Sequence, residues 1–382
     1  MSKKIRVAIA GVGNCASSLV QGVEYYRRNG YDGASGLMHP DMAGYRPWDI
    51  EWVAAFDVDR RKVGQPLEKA IFAKPNNTMV FQPDIPETGV TVQMGPVLDG
   101  VAPHMADYDE DVAFRVADAQ PVDVAEELRK AKADVLLCYL PVGSEQAVRH
   151  YAQAALDAGV AFVNCVPVFI ASDAEWAEKF RSAGVPIVGD DIKSQVGATI
   201  VHRMLTRLFG DRGYRLKRTY QLNTGGNTDF LNMLALDRLK SKKKSKTGSV
   251  TSQLDAPLDA RDVHIGPSDY VPWQKDNKVA FIRMEGEGFG GAPIELELRL
   301  SVQDSPNSAG VVIDALRCAM IARERGMGGP VLPACSYYMK TPPVQVRDDI
   351  AREAVEAFLR GEETEHLFVP QPQDARLAEA AE

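Results

Sequence analysis

A short apolar run over residues 5–10, Ile-Arg-Val-Ala-Ile-Ala, leads straight into Gly11-Val-Gly13-Asn14-Cys15-Ala16, and an amphipathic stretch follows over 16–28. A strand that turns through two glycines into a helix is the opening unit of a dinucleotide-binding α/β sheet. Gly11 suits the tight turn, Gly13 lets backbone approach a pyrophosphate, and Ala16 is small enough for the helix to lie on the strand. The helix N-terminus then faces the phosphates. A glycine turn arising by chance is the competing reading. The acid expected at the end of the second strand is Asp57, in Val-Ala-Ala-Phe-Asp-Val-Asp. A carboxylate there accepts ribose hydroxyls and repels a 2′-phosphate, which favours NAD over NADP. Asp57 lies 44 residues beyond Gly13, about twice the usual gap of ~20, and an insert over 29–49 accounts for the excess. Asp59 competes for the role, as does a surface acid with no ribose contact.

The α/β rhythm continues. Apolar runs over 51–56, 135–140, 161–166 and 186–188 alternate with helical periodicity over 125–132, 145–158, 173–183 and 195–209. Near-continuous apolar strands separated by helices indicate a parallel sheet covered on both faces. Inserts over 29–49 and 73–122, rich in Pro, Gly and Asp, read as surface elaborations. After about residue 210 the texture changes. Ile294, Leu296, Leu298, Leu300 and Val302 alternate with polar residues, the period of two of an antiparallel strand with one buried face. Companion strands are expected over 215–223 and 278–285, and helices return over 309–325 and 348–360. The predicted architecture is therefore a Rossmann-type unit from 1–200 and 309–365, an inserted α+β unit on an open sheet over 201–308, and a mobile acidic tail over 366–382.

With 382 residues, 45% hydrophobic and 25% charged, the composition is that of a globular chain of two domains. A net charge of −8 gives no general attraction for nucleic acid or anionic membrane, so an anionic substrate must meet a local cationic cluster. Cys15, Cys138, Cys165, Cys318 and Cys335 are scattered without a C-x-x-C pair, which reads as reduced thiols in a cytoplasmic protein. No metal site is expected, because the six histidines are dispersed and no Cys/His grouping has ligand spacing. The chain also has no G-x-S-x-G elbow, no Walker motif and no apolar window long enough for a membrane span.

Chemistry-bearing groups cluster at strand ends and in the inserted unit. The segments 140–144 (with Pro141 and Ser144), 164–167 (with Asn164) and 189–194 (with Asp190, Asp191 and Ser194) end strands, where ligands bind in open α/β sheets. The densest cationic run is Lys240-Ser-Lys-Lys-Lys-Ser-Lys246. It reads either as a solvated loop or as a phosphate clamp, because a helical turn puts Lys242 and Lys246 on one face. It follows a Gly/Asn/Asp turn holding Asp229. Lys278, Lys340 and Asp304, taken singly, look like a surface lysine, another, and a strand-end or helix-cap acid.

Together these segments resemble the inositol-1-phosphate synthase family in its short prokaryotic form. The resemblance runs from GVGNCASSLVQGVEYY through LPVGS, NCVPVFIASD, GDDIKSQVGAT, QLNTGGNTDFLNML, SKKKSKT, DNKVAF and QDSPNSAGVVIDA to SYYMKTPP. It implies a Rossmann domain built from both chain ends, with a catalytic and tetramerisation domain between them. It implies NAD as cofactor and D-glucose 6-phosphate as substrate. The sugar would be oxidised at C5, enolised at C6, closed by aldol attack on C1 and reduced again. The family's essential lysines fall on Lys242, Lys246, Lys278 and Lys340, and its carboxylates on Asp191, Asp229 and Asp304. Cofactor contacts fall on Gly11, Gly13, Asn14, Cys15, Asp57, Pro141, Ser144, Asn164, Asp190 and Ser194, with Ala131 and Tyr151 as further positions. Lys340 with Asp304 is expected to move the C5 hydroxyl proton, Lys278 to serve the C1 oxygen, and Lys242 and Lys246 to hold phosphate and enolate. Lys244 stands where the family usually has a hydrophobe.

Overall fold

The computed structural model describes residues 3–30, 36–254 and 258–368. Six short strands come first: β1 (Ile5–Ala10), β2 (Ile50–Asp57), β3 (Val92–Met94), β4 (Val135–Cys138), β5 (Ala161–Asn164) and β6 (Pro186–Val188). Longer strands follow as β7 (Arg215–Gly225), β8 (Val263–Tyr270), β9 (Asn277–Glu287) and β10 (Pro293–Gln303), then a short β11 (Gly329–Pro330). The helices are α1 (Asn14–Asn29), α2 (Leu67–Ala70), α3 (Val124–Lys130), α4 (Glu145–Ala158), α5 (Ala174–Ser182) and α6 (Ala198–Asp211). After them come α7 (Thr228–Asn232), α8 (Lys240–Thr251), α9 (Asp304–Glu324), α10 (Leu332–Tyr338) and α11 (Asp348–Arg360).

Seven strands form a parallel sheet in the order β11-β6-β5-β4-β1-β2-β3. Without β11 this is the doubly wound order, whose direction reverses between β1 and β4. Every residue of β4, β5 and β6 is buried, as a sheet covered on both faces requires. Part of that cover is α9, which packs on α1 and beneath β4, β5 and β6. Helix α9 begins at Asp304, earlier than the periodicity suggested.

The smaller sheet, β10-β9-β7-β8, is mixed and not wholly antiparallel as expected. β9 is antiparallel to β10 and β7, while β7 and β8 run parallel. A parallel pair needs a crossover, and α8 is part of it: the lysine run is a helix, not a loop. Along β10 the apolar residues are only half-buried, so one face of this sheet is open in the single chain.

The inserts are not surface decoration. In the first, Tyr45 is buried and hydrogen-bonds Glu324, while Arg317 of α9 donates to the carbonyls of His39 and Tyr45. In the second, Asn76-Asn77-Thr78 lies against the glycine-rich turn, as detailed below. Of the expected tail, 369–382 lie outside the described residues, whereas Phe368 is buried at the end of a short helical turn, Glu365–Phe368.

Candidate active site

A cleft opens at the carboxyl ends of β1 and β4. Gly13, Asn14 and Cys15 line one side, and Asp191, Asp229, Lys242, Lys278, Asp304 and Lys340 line the other. Gly11 has φ +94°, and a β-carbon there would stand 2.7 Å from the Tyr139 carbonyl oxygen, so only glycine fits. A β-carbon on Gly13 would meet nothing within 4 Å, because that position faces open space. No side chain caps α1 and its first turn holds no acid, which leaves its amides to a ligand.

Asp57 Oδ2 accepts from the Val12 amide at 2.7 Å, and Oδ1 accepts from Val58 and Asp59 at 2.7 and 2.8 Å. The half-buried carboxylate thus stands at the turn. Asp59 is fully buried and held by the Arg61 guanidinium and the amides of Arg61 and Arg115. Its surroundings are spent internally. Behind the turn is a group that sequence reasoning missed. Lys62 is fully buried and donates to the Val12 carbonyl at 2.8 Å and Asn76 Oδ1 at 2.9 Å. Burial pulls its pKa down against the pull of Asp57 and Asp59. A lysine after two arginines carries no local signal of such a place.

Pro141 and Ser194 line the cleft as expected. Ser144 does not: it is fully buried and its hydroxyl turns back to the Pro141 carbonyl at 2.7 Å. Asp190 is also internal. It accepts from Asn164 Nδ2, the amides of Ile170, Ala171 and Ser172, and the Ser172 hydroxyl, so both Asn164 and Asp190 pin the 164–172 loop instead of facing a ligand. Burial, the largest influence, raises Asp190 to about 6 despite these donors. Tyr151 sits in the core against Phe56, where Gly95 leaves room for its hydroxyl. Ala131 ends α3, next to the segment whose Asp134 pairs with Arg6 at the start of β1. That is the amino end of β1 and β4, opposite the end where the cleft opens, so the expected cofactor contact at Ala131 is not met.

Lys340 reaches the cleft because residues 190–193 and 338–341 pair through backbone hydrogen bonds. Its ammonium lies 2.7 Å from Asp191 Oδ1 and donates to the Ile192 carbonyl at 2.6 Å. Asp191 has φ +63°, the kind of backbone strain that gathers at functional sites. Its other oxygen accepts from Ser245 of α8 at 2.7 Å, and Thr341 donates to that serine at 2.8 Å. Burial opposes ionisation of Asp191, but Lys340 and Lys242 outweigh it and hold the carboxyl below its usual range. Lys278 lies 3.1 Å from Asp304. The expected partnership of Lys340 with Asp304 is thus replaced by two pairs, Lys340–Asp191 and Lys278–Asp304. Burial likewise opposes ionisation of Asp304, and Lys278, Lys242 and Lys340 outweigh it.

Lys242 and Lys246 share one face of α8, as their spacing suggested, but their surroundings differ. Lys242 is 3.4 Å from Asp229, and although burial opposes its charge, Asp229, Asp191 and Asp304 raise its pKa. Lys246 is buried near Lys242, Lys278 and Lys340, and among the described residues its nitrogen has no hydrogen bond or ion pair. Burial first, then Lys278, Lys242 and Lys340, lower its pKa well below the ordinary lysine value. The helix is held from below by Arg203, which is fully buried and joins the Ser249 carbonyl to the Asp348 carboxylate of α11. Lys193 meets the same carboxylate at 3.3 Å, and burial, chiefly, brings its pKa down to about 7.

This arrangement has known relatives. A sequence profile for myo-inositol-1-phosphate synthase matches residues 197–305. The inositol-3-phosphate synthase of Mycobacterium tuberculosis (strain CDC 1551 / Oshkosh) is 60% identical over 362 residues, covering 94% of this chain and 97% of that protein. The chain belongs to the myo-inositol-1-phosphate synthase family. The inositol-3-phosphate synthase of Corynebacterium glutamicum is 59% identical, covering 93% of this chain and 98% of that protein. The crystal structure of a myo-inositol-1-phosphate synthase-related protein from Thermotoga maritima shares the fold, with TM-score 0.76 at 24% identity over 94% of this chain and 99% of that one. Within this synthase-family fold, Lys244 is accommodated at the surface, its ammonium 5.4 Å above the Phe169 ring.

Proposed function

We propose that the chain is an inositol-3-phosphate synthase, an isomerase that closes D-glucose 6-phosphate to 1D-myo-inositol 3-phosphate (1L-myo-inositol 1-phosphate) with NAD⁺ as a recycled cofactor. The observation that carries this reading is the convergence of two ammonium–carboxylate pairs and Lys242 on one cleft that also receives the glycine-rich turn. When bound, NAD⁺ would supply the hydride acceptor for C5 of the sugar and, as NADH, the donor that restores it. The turn at Gly11–Cys15, the first amides of α1 and the Asp57 carboxylate would hold it, with Pro141 and Ser194 at its reacting end.

The remaining work belongs to the side chains. Negative charge develops in turn on the C5 oxygen, the enolate and the C1 oxygen, and each well-placed donor is worth about 3–4 kcal/mol there. Lys340, tuned by Asp191, takes and returns the C5 hydroxyl proton. Lys278, fixed by Asp304, donates to the C1 oxygen as the ring closes. Lys242 and Lys246 meet the phosphate and the enolate, and the substrate's own phosphate takes the proton that leaves C6. An anion supplies what Lys246 lacks, since a buried ammonium is stable only beside one.

The test is phosphorus NMR of the full-length protein incubated with glucose 6-phosphate and substoichiometric NAD⁺. Inositol phosphate is expected to exceed the cofactor many times over with no accumulating reduced cofactor. A stoichiometric rise in reduced cofactor with an oxidised sugar would instead identify a simple dehydrogenase. Asp57→Ala is expected to weaken NAD⁺ binding by roughly 10- to 100-fold, the worth of charge-assisted hydrogen bonds. Fluorescence titration checks it.

The same reading makes the protein a cytoplasmic homotetramer. It is supported by the five free cysteines, by the half-exposed apolar residues of β10 and by exposed Phe281 on the other face of the same sheet. No helix among the described residues is long and apolar enough to cross a membrane.

A further inference from the structure

We propose that Asp276 is a positioning residue, which fixes the glycine-rich turn against the Lys278–Asp304 pair so that cofactor and sugar meet at reacting distance. The proposal rests on the function read above and deepens it.

Asp276 is 1% exposed and precedes β9. Its Oδ1 accepts from Asn14 Nδ2 at 3.1 Å, Asn227 Nδ2 at 3.0 Å and the Ser305 hydroxyl at 2.9 Å. Its Oδ2 accepts from the Thr78 hydroxyl at 2.7 Å and the Ser305 amide at 3.1 Å. Those five donors come from four places: the glycine-rich turn, the 76–78 strap, the N-cap of α7 just past β7, and the start of α9, where Ser305 donates through both backbone and side chain. Burial and the neighbouring Asp304 raise its pKa, yet every contact is a donor, the setting of an ionised carboxylate.

The strap extends the same joint. Asn14 Oδ1 accepts from the amides of Asn77 and Thr78 at 2.8 and 3.2 Å, and Asn77 Nδ2 donates to the Gly226 carbonyl at 3.1 Å. On the far side, the Asp304 amide donates to the Asp276 carbonyl at 3.0 Å, and Lys278 stands two residues along the same strand. The cofactor turn belongs to the seven-stranded sheet and Lys278 to the four-stranded one. Asp276 is the shared acceptor between them. It touches neither ligand. It determines where two groups that do touch them stand.

The test uses Asp276→Asn in the full chain, where the amide keeps the shape but cannot accept from five donors. NAD⁺ affinity is expected to change by only a few-fold, whereas kcat falls roughly 10²-fold, the cost of an ångström of misplacement. The deuterium isotope effect with sugar labelled at C5 rises, because hydride transfer becomes limiting. Hydrogen exchange supplies a readout independent of turnover. In the wild type NAD⁺ is expected to slow amides in both 76–78 and 276–279; in the variant protection stops at the strap. Wild-type kcat and isotope effect in the variant, or protection on both sides, overturns the proposal. If Asp276→Asn does not fold, Thr78→Val, which removes one donor, carries the same test. Lowered stability with an unchanged isotope effect and exchange pattern would mean a merely structural role and overturn the proposal. Failure of the wild type to form inositol phosphate would sink the functional reading, while the exchange arm still judges Asp276.

Discussion

Replacing Lys246 by methionine is expected to abolish cyclisation and at the same time stabilise the fold. The two effects share one cause. The residue is buried, makes no ion pair or hydrogen bond among the described residues, and feels three other lysines against the attraction of Asp191. In the resting protein that placement costs free energy, and a thioether of similar length removes the cost. Replacing buried charge with packed apolar groups gains about 1–4 kcal/mol. Activity moves the other way, because the loss of one anion-stabilising donor costs about 10²–10³ in kcat. The sign with pH follows from linkage. The folded pKa lies below the unfolded one, so the unfolded chain binds more protons between them and stability rises with pH across that window. The methionine variant lacks this slope. Denaturant unfolding at neutral and alkaline pH, with turnover on the same samples, checks both halves. A Lys246→Met protein less stable than wild type would show that the amine is partnered at rest.

Lys340→Met, in the same cleft, is expected to lose turnover and stability together. Here a buried pair is broken: Asp191 loses an ammonium at 2.7 Å and retains Ser245 and the more distant Lys242. Removing one partner of such a pair costs about 3–5 kcal/mol. In the wild type the depressed pKa of Asp191 contributes stability above the unfolded carboxylate value, and that contribution is lost as pH falls through the folded value. In the variant the orphaned carboxylate moves upward, so the deficit is largest at neutral pH and narrows on acidification. Adding Asp191→Asn should recover much of the stability and none of the activity. Opposite stability shifts from two lysines in one cleft would distinguish the paired group from the unpaired one.

What could be read beforehand depended on whether the signal was local. The glycine-rich turn, the run of apolar strands and the lysine face of α8 are periodic or contiguous features, and each lies where its pattern indicated. The parallel pairing of β7 with β8 was not visible, because strand direction depends on the crossover between them and not on the strands. Lys62, Asp276 and the Asn76–Thr78 strap were missed for a related reason. Most of their side-chain partners are 14 to 262 residues away, and nothing near them in sequence marks them as interior. Ser144, Asn164 and Asp190 looked like ligand contacts for a different reason. They sit at strand ends, but their donors and acceptors are taken by the loops themselves.

The path of the chain has a consequence for synthesis on the ribosome. β1 belongs to a layer whose cover, α9, and whose edge, β11, are made only after the whole four-stranded sheet. The N-terminal half therefore waits with apolar surface uncovered while the insert folds. Lys340 is then delivered to Asp191 by a segment translated after both sheets' long strands, so a nascent chain arrested before it would carry the glycine-rich turn without the Lys340–Asp191 pair.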